Sequence, residues 1–386
     1  MKRADAISLG RTMLSDAVGD LPGRWNPWRS LNISLAMLEW ERLGYDGVDP
    51  VQYFRTALEG LPDLGTMPPW LYGGVAQIGW LALQLHRAKG LRIKNLASID
   101  DYIIARLESY PPDADIELLR GILGLGVYGL RHVCDPVRRK IISGVLAELD
   151  ARLETTESGA FVRLADPRWA RPETTGEIGW RSVGVAHGNA GVAAFLALAA
   201  RGASGSGEVA QRLLGQVAEW LTTVRLPRDD VAYPAYAEQP TSRHRSSWCH
   251  GDPGISLALS QVRDALEDDR LRARVQMCAH HAARVSLDQS QSGSGVVDCC
   301  LCHGAAFLCY FGSKSPELPP GAARGYVSRW MDYIGRCRAR GPLLYRGASG
   351  FARNISFLNG DCGVACALWR SVSGTRARWE DMLLMG

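Results

Sequence analysis

Two kinds of apolar pattern alternate along this chain. The first is apolar on nearly every side and follows a glycine-centred element. It reads LYGGVAQIGWLAL from Leu71, ELLRGILGLGVYGL from Glu117, VAHGNAGVAAFLAL from Val185 and WCHGDPGISLAL from Trp248. It returns as LCHGAAFLCYFG from Leu301 and FLNGDCGVACAL from Phe357, with a weaker copy lacking the glycines, LNISLAMLEWERLG, from Leu31. A helix that is apolar all round is one buried on all sides. The second pattern is amphipathic. Asp135 and Pro136 are expected as N-cap and first-turn proline of a helix whose face carries Val137, Ile141, Ile142, Val145 and Leu149. Val209, Leu213, Leu214, Val217, Leu221 and Val224 make another such stripe; Tyr326, Trp330, Tyr333 and Ile334 make a third, mostly aromatic. No run alternates with period two for long enough to suggest a sheet.

Glycines 74, 121, 188, 251, 304 and 360 anchor the repeat at intervals of 47 to 67 residues, room for two helices per unit. The expected fold is all-α: an α/α toroid (barrel) of about seven helical hairpins, with an inner and an outer helix layer. Closure is favoured over an open stack because the last repeat is as apolar as the middle ones, whereas an open stack needs polar caps. In a toroid the inner-helix N-termini share one rim, so residues from distant glycine loops converge. The chain is read as a single domain over residues 1–386, with an irregular rim or lid segment from Ser158 to Ser182, rich in Pro, Trp, Arg and Gly.

Composition narrows the function classes. At 386 residues, 46% hydrophobic and 22% charged, this is an ordinary globular chain. A net charge of +4, without a basic run interleaved with aromatics, argues against nucleic acid. The N-terminus MKRADAISLGRTML has no apolar core behind its basic residues and is no signal peptide. The most apolar stretch, Val183 to Ala200, is interrupted by His187, Asn189 and three glycines, a poor membrane span. Ten cysteines without an export signal imply reduced thiols in the cytoplasm.

Candidate chemistry lies in the glycine loops. Cys249, Cys302 and His303 stand in Trp-Cys-His-Gly and Leu-Cys-His-Gly contexts. Adjacent Cys and His diverge by about 100° on a regular helix, so they share a metal only where the backbone turns, and the following glycine is expected to permit the turn. Two thiolates and an imidazole suit zinc, and three ligands leave a tetrahedral position open for catalysis. Spacing alone keeps an alternative, Cys299 with Cys302 as a C-x-x-C pair, although no second such pair exists to complete a closed site. Cys134, Cys278, Cys300, Cys309, Cys337, Cys362 and Cys366 are expected to be packing residues.

Together these motifs resemble a stand-alone lanthipeptide cyclase of the LanC family. The resemblance covers most of the chain. It rests on Ala186-His187-Gly188, on the Arg245 to Gly254 stretch R-x-x-WC-x-G-x-PG, on Cys302-His303-Gly304, and on the closing NGDCG from Asn359. The first repeat begins almost at the N-terminus, so no dehydratase domain is expected before it. The resemblance implies an α/α barrel with Zn2+ held by Cys249, Cys302 and His303. It also implies Michael-type addition of peptide cysteine thiols to dehydroalanine or dehydrobutyrine, giving lanthionine or methyllanthionine rings. The implied substrate is a dehydrated precursor peptide, with the cognate dehydratase and exporter as partners. One departure is plain: in D-x-x-x-G-x-x-G-x-x-x-Y, aligned on Gly121, Gly124 and Tyr128, this chain has Glu117 at the Asp position.

For that reaction His187 is the expected proton donor, Arg245 the expected partner of the enolate oxygen, and Glu117 the group that orients and charge-tunes His187. His250 and Asp252 are expected near the metal or facing solvent. Two rival readings use the same residues: a LanC-like enzyme adding glutathione to dehydroamino acids, and a non-catalytic zinc-bound scaffold of a peptide-modifying complex, which the replacement at Glu117 would suit.

Overall fold

The structure is a computed structural model that describes residues 2–92, 96–163, 180–202, 206–224, 232–238, 246–284 and 294–386. Its helices run α1 (Arg3–Asp20), α2 (Pro27–Arg42), α3 (Pro50–Glu59), α4 (Val75–Lys89), α5 (Leu96–Glu108), α6 (Ile122–Leu130), α7 (Asp135–Arg152) and α8 (Asn189–Gly202). They continue as α9 (Gly207–Thr223), α10 (Asp252–Leu266), α11 (Asp269–Ala283), α12 (Ala305–Lys314), α13 (Pro320–Ala339), α14 (Asp361–Ser373) and α15 (Trp379–Met382).

The two sequence patterns become two helix types. In α4 every residue from Val75 to Leu85 is buried, and α6, α8, α12 and α14 are buried just as continuously. The amphipathic helices bury one stripe only: Ile141, Ile142, Val145 and Leu149 on α7, and Leu213, Leu214, Val217 and Leu221 on α9. Each large side chain so buried contributes about 1.5–3 kcal/mol. Val209, expected on the α9 stripe, is exposed in the first turn, before that stripe meets its neighbour. The α7 boundary also shifts: Cys134 is the N-cap, while Asp135 lies inside the first turn and pairs with Arg138 and Arg139.

The chain forms two compact units. The first comprises Met1–Leu61, Arg245–Trp248 and Ala279–Arg378. In it α12, α14 and α2 pack in series, and each has an outer partner: α13 on α12, α1 on α14, α3 on α2. The outer helix of the last repeat is thus supplied by the start of the chain. The second comprises Pro62–His244, Cys249–Cys278 and Trp379–Gly386. There α4, α6, α8 and α10 pack in series, with α5, α7 and α9 outside α4, α6 and α8.

Strand is confined to two hairpins among the described residues, β1 (Glu154–Thr156) with β2 (Gly159–Phe161), and β3 (Tyr345–Gly347) with β4 (Gly350–Ala352). The second lies outside the segment where irregular structure was expected. Gly159 and Gly350 have φ of 105° and 111°, which only glycine adopts without strain, so each hairpin turn depends on its glycine. Of the expected Ser158–Ser182 rim segment, residues 164–179 lie outside the described residues.

Candidate active site

Five of the glycine loops share one backbone design. Each of these coils back so that its carbonyls cap the helix it precedes: Val75 N–H donates to Pro68, Ile122 to Asp115, Asn189 to Ser182, Ala305 to Asp298 and Asp361 to Asn354, at 2.9–3.2 Å. The spacing is seven residues every time. These bonds satisfy amides that a helix N-terminus otherwise leaves to a Ser or Asp side chain, so the loops carry no capping residue. They also correct the reason for the glycines. Gly251 and Gly304 have φ of −138° and −116°, open to any residue. What excludes a side chain is close approach: a Cβ on Gly304 would lie 2.3 Å from the Cys300 nitrogen, and one on Gly188 2.6 Å from the Ser182 carbonyl.

Neighbouring loops are stitched by backbone hydrogen bonds. In the second unit Tyr72 N–H donates to Leu119, Leu118 to Ala186 and Val185 to Cys249, at 2.9, 3.0 and 2.9 Å. In the first unit Trp248 N–H donates to Cys302 at 3.1 Å and Cys302 N–H to Leu358 at 2.9 Å.

The Leu118–Ala186 stitch sets Glu117 against His187. Glu117 Oε2 lies 2.7 Å from His187 Nδ1; the carboxylate is 4% exposed and the imidazole 15%. The other carboxylate oxygen accepts from Arg120 N–H, which fixes its rotamer. Burial disfavours the imidazolium, but the Glu117 hydrogen bond and charge, aided by Cys249 and Asp115, outweigh it, so the His187 pKa is raised. The Glu at the usual Asp position therefore reaches the histidine. His250 stacks on His187, ring centroids 5.4 Å apart, and Tyr236 lies 5.8 Å from His250. Tyr236 carried no sequence signal, since it belongs to no glycine loop. Asp252, expected near the metal or in solvent, is buried and accepts from Ala232 and Tyr233 N–H at 2.8 and 3.1 Å. It anchors backbone rather than facing solvent.

The donor atoms of Cys249, Cys302 and His303 all lie within 4.8 Å of one another. Cys302 is buried, and Cys249 and His303 are partly exposed. Two thiols and an imidazole are a donor set that suits zinc with an open position. Asp298, another residue without a motif, is 4% exposed and puts Oδ2 3.9 Å from His303 Nε2. Its signal was only its place four residues before Cys302.

Cys299 is not part of this group; its thiol hydrogen-bonds Cys337. That contact, with Tyr333 and nearby arginines, pushes the Cys337 thiol down to about 6. Cys337 is only partly buried and Cys134 is exposed, which corrects the expectation that both are packing residues; Cys134 sits at the outer end of α7, and Cys337 near the end of α13. Cys300 is buried, yet its sulfur accepts from His303 N–H at 3.4 Å. Arg245 lies outside the described residues.

Residues 50–384 match the family described as "Lanthionine synthetase C-like protein". The structure aligns with a solved structure of "Nisin cyclase" at a TM-score of 0.71 and 18% identity, covering 100% of this chain and 98% of that one. That likeness shows the fold, the α/α toroid anticipated from the repeat. No curated protein sequence matches. No helix among the described residues is long and apolar enough to cross a membrane.

Proposed function

The chain belongs to the lanthionine synthetase C-like family, and from that premise we propose that it is a zinc-dependent, cytoplasmic peptide cyclase. It adds cysteine thiols of a dehydrated precursor to dehydroalanine or dehydrobutyrine. The observation that carries this reading is the buried Glu117–His187 couple, in a chain whose Cys249, Cys302 and His303 donor atoms lie within 4.8 Å of one another.

Cys249, Cys302 and His303 would hold the zinc, which when bound supplies a deprotonated peptide thiol in place of one with a pKa of about 8.5. The addition forms an S–Cβ bond and leaves an enolate that must gain a proton at Cα. His187 is assigned that delivery. Its Nδ1 faces Glu117, leaving Nε2 as the nitrogen that hands over the proton, and the raised pKa favours the protonated ring. Glu117 holds the ring and remains the counter-ion. His250, stacked on the same imidazole, limits its rotation. Arg245, four residues before Cys249, is assigned the enolate oxygen.

The test is direct. Zinc-loaded protein incubated with dehydrated precursor should consume peptide thiols without changing peptide mass, because the addition is an isomerisation. Alkylation followed by mass spectrometry counts the thiols. Persistence of every thiol in the presence of folded, zinc-loaded protein would overturn the reading. Glutathione incorporated in place of ring closure would move it to the glutathione-adding alternative.

A further inference from the structure

A second set of metal donors lies within the first unit. Asp298, Cys300 and His303 offer a carboxylate oxygen, a sulfur and an imidazole nitrogen, all within 4.8 Å of one another. All three belong to the loop that caps α12. Burial separates this set from surface carboxylates, which gather without holding ions: Asp298 is 4% exposed and Cys300 0%.

The loop also holds the donors in place. Asp298 Oδ1 accepts from Cys300 N–H at 2.9 Å and Oδ2 from Arg346 N–H at 3.0 Å, so the carboxylate is fixed at both oxygens. An ionised carboxylate offers about four acceptor positions, and these two bonds leave capacity for a cation. His303 N–H donates to Cys300 Sγ at 3.4 Å, which fixes the sulfur beside the imidazole. An Asp serving only to fasten the loop to Arg346 would need no sulfur and imidazole gathered beside it. One oxygen, one sulfur and one nitrogen make a mixed set suited to a borderline cation.

We propose that Asp298, Cys300 and His303 form a second metal-holding position for a divalent cation such as Zn2+ or Co2+, competing with the Cys249/Cys302/His303 set for His303. The competition rests on the metal-ligand reading above; the donor set itself does not. The loop would thus hold a second station that shares one imidazole with the first.

Cobalt(II) is the probe, because its absorption bands report thiolate coordination. Wild type should bind one equivalent and show two thiolates, which tests the outer set separately. The variant Cys249→Ala/Cys302→Ala, checked for folding by circular dichroism and a thermal melt, should still bind one equivalent and show a thiolate-to-cobalt band. Adding Cys300→Ser should abolish that band, and adding Asp298→Asn should weaken binding by at least about tenfold. Absence of the band at saturating cobalt, or its survival in the Cys300→Ser triple variant, would overturn the proposal. If the double variant does not fold, Cys249→Ala is compared with Cys249→Ala/Cys300→Ser. An at least tenfold loss of cobalt affinity on removing Cys300 is then expected, and unchanged affinity overturns it.

Discussion

The His187 loop and the Cys302 loop have the same backbone but place their carboxylates differently. Each coils back to cap a buried helix, and each ends in a glycine whose Cβ would strike the loop itself. At His187 the carboxylate comes from a neighbouring loop, stands 2.7 Å away and raises the imidazole pKa. At His303 it comes from the same loop, stands 3.9 Å away, and is engaged by two backbone amides. A proton carrier must be charged at working pH, whereas a metal ligand must be neutral. On the proposed assignments one loop design would serve both roles, and what differs between the two loops is where the carboxylate stands.

The largest expected effect comes from breaking the charged member. His187→Asn should slow ring closure by about 10²–10⁴ while zinc stays at wild-type stoichiometry. Rate assays with metal analysis check both halves; full activity would mean solvent protonates the enolate.

Next are substitutions aimed at the shared backbone. Gly188→Ala and Gly304→Ala should each destabilise the fold by about 1–3 kcal/mol, because the Cβ meets backbone that cannot move aside. Gly335→Ala on α13 meets nothing within 4 Å and should stabilise by about 0.5–1 kcal/mol. Denaturant midpoints at unchanged slope measure all three.

Glu117→Gln sharpens the electrostatic half. With the carboxylate gone, burial dominates and the His187 pKa falls, so the alkaline limb of the rate profile should move to lower pH. The sign is the same for stability. A raised histidine pKa stabilises fully below the unfolded value of about 6.5 and loses that contribution as pH rises through the folded value. The double variant with His187→Asn should be little slower than His187→Asn alone, because the pair acts as a unit. The smallest effect is expected from Cys299→Ala, which should leave zinc unchanged yet move alkylation of Cys337 to higher pH, since the Cys299 hydrogen bond is the leading cause of its lowered pKa.

Much of this architecture was legible because burial on all sides writes an unmistakable pattern. The all-round apolar runs after Gly74, Gly121, Gly188, Gly304 and Gly360 became the buried helices, and Glu117 proved to reach His187 despite its extra methylene. Three things were hidden. The helix caps are backbone carbonyls, which leave no residue signature beyond glycine. The role of Asp298 depends on amides at 300 and 346, and the partner of Cys299 lies on another helix at Cys337; neither distance is encoded locally. The one-residue shift from Asp135 to Cys134 at α7 shows the ordinary ambiguity of a helix end.

The loop-to-loop stitches have a consequence for hydrogen exchange. The amides of Leu118, Val185, Trp248 and Cys302 lie in segments that a helix map would label as connectors, yet each donates to the next loop's carbonyl. Deuterium should reach them slowly, on the timescale of the buried helices rather than of surface turns, since exposing one requires parting two loops. The residues assigned to chemistry would then sit in the least labile stratum of the protein.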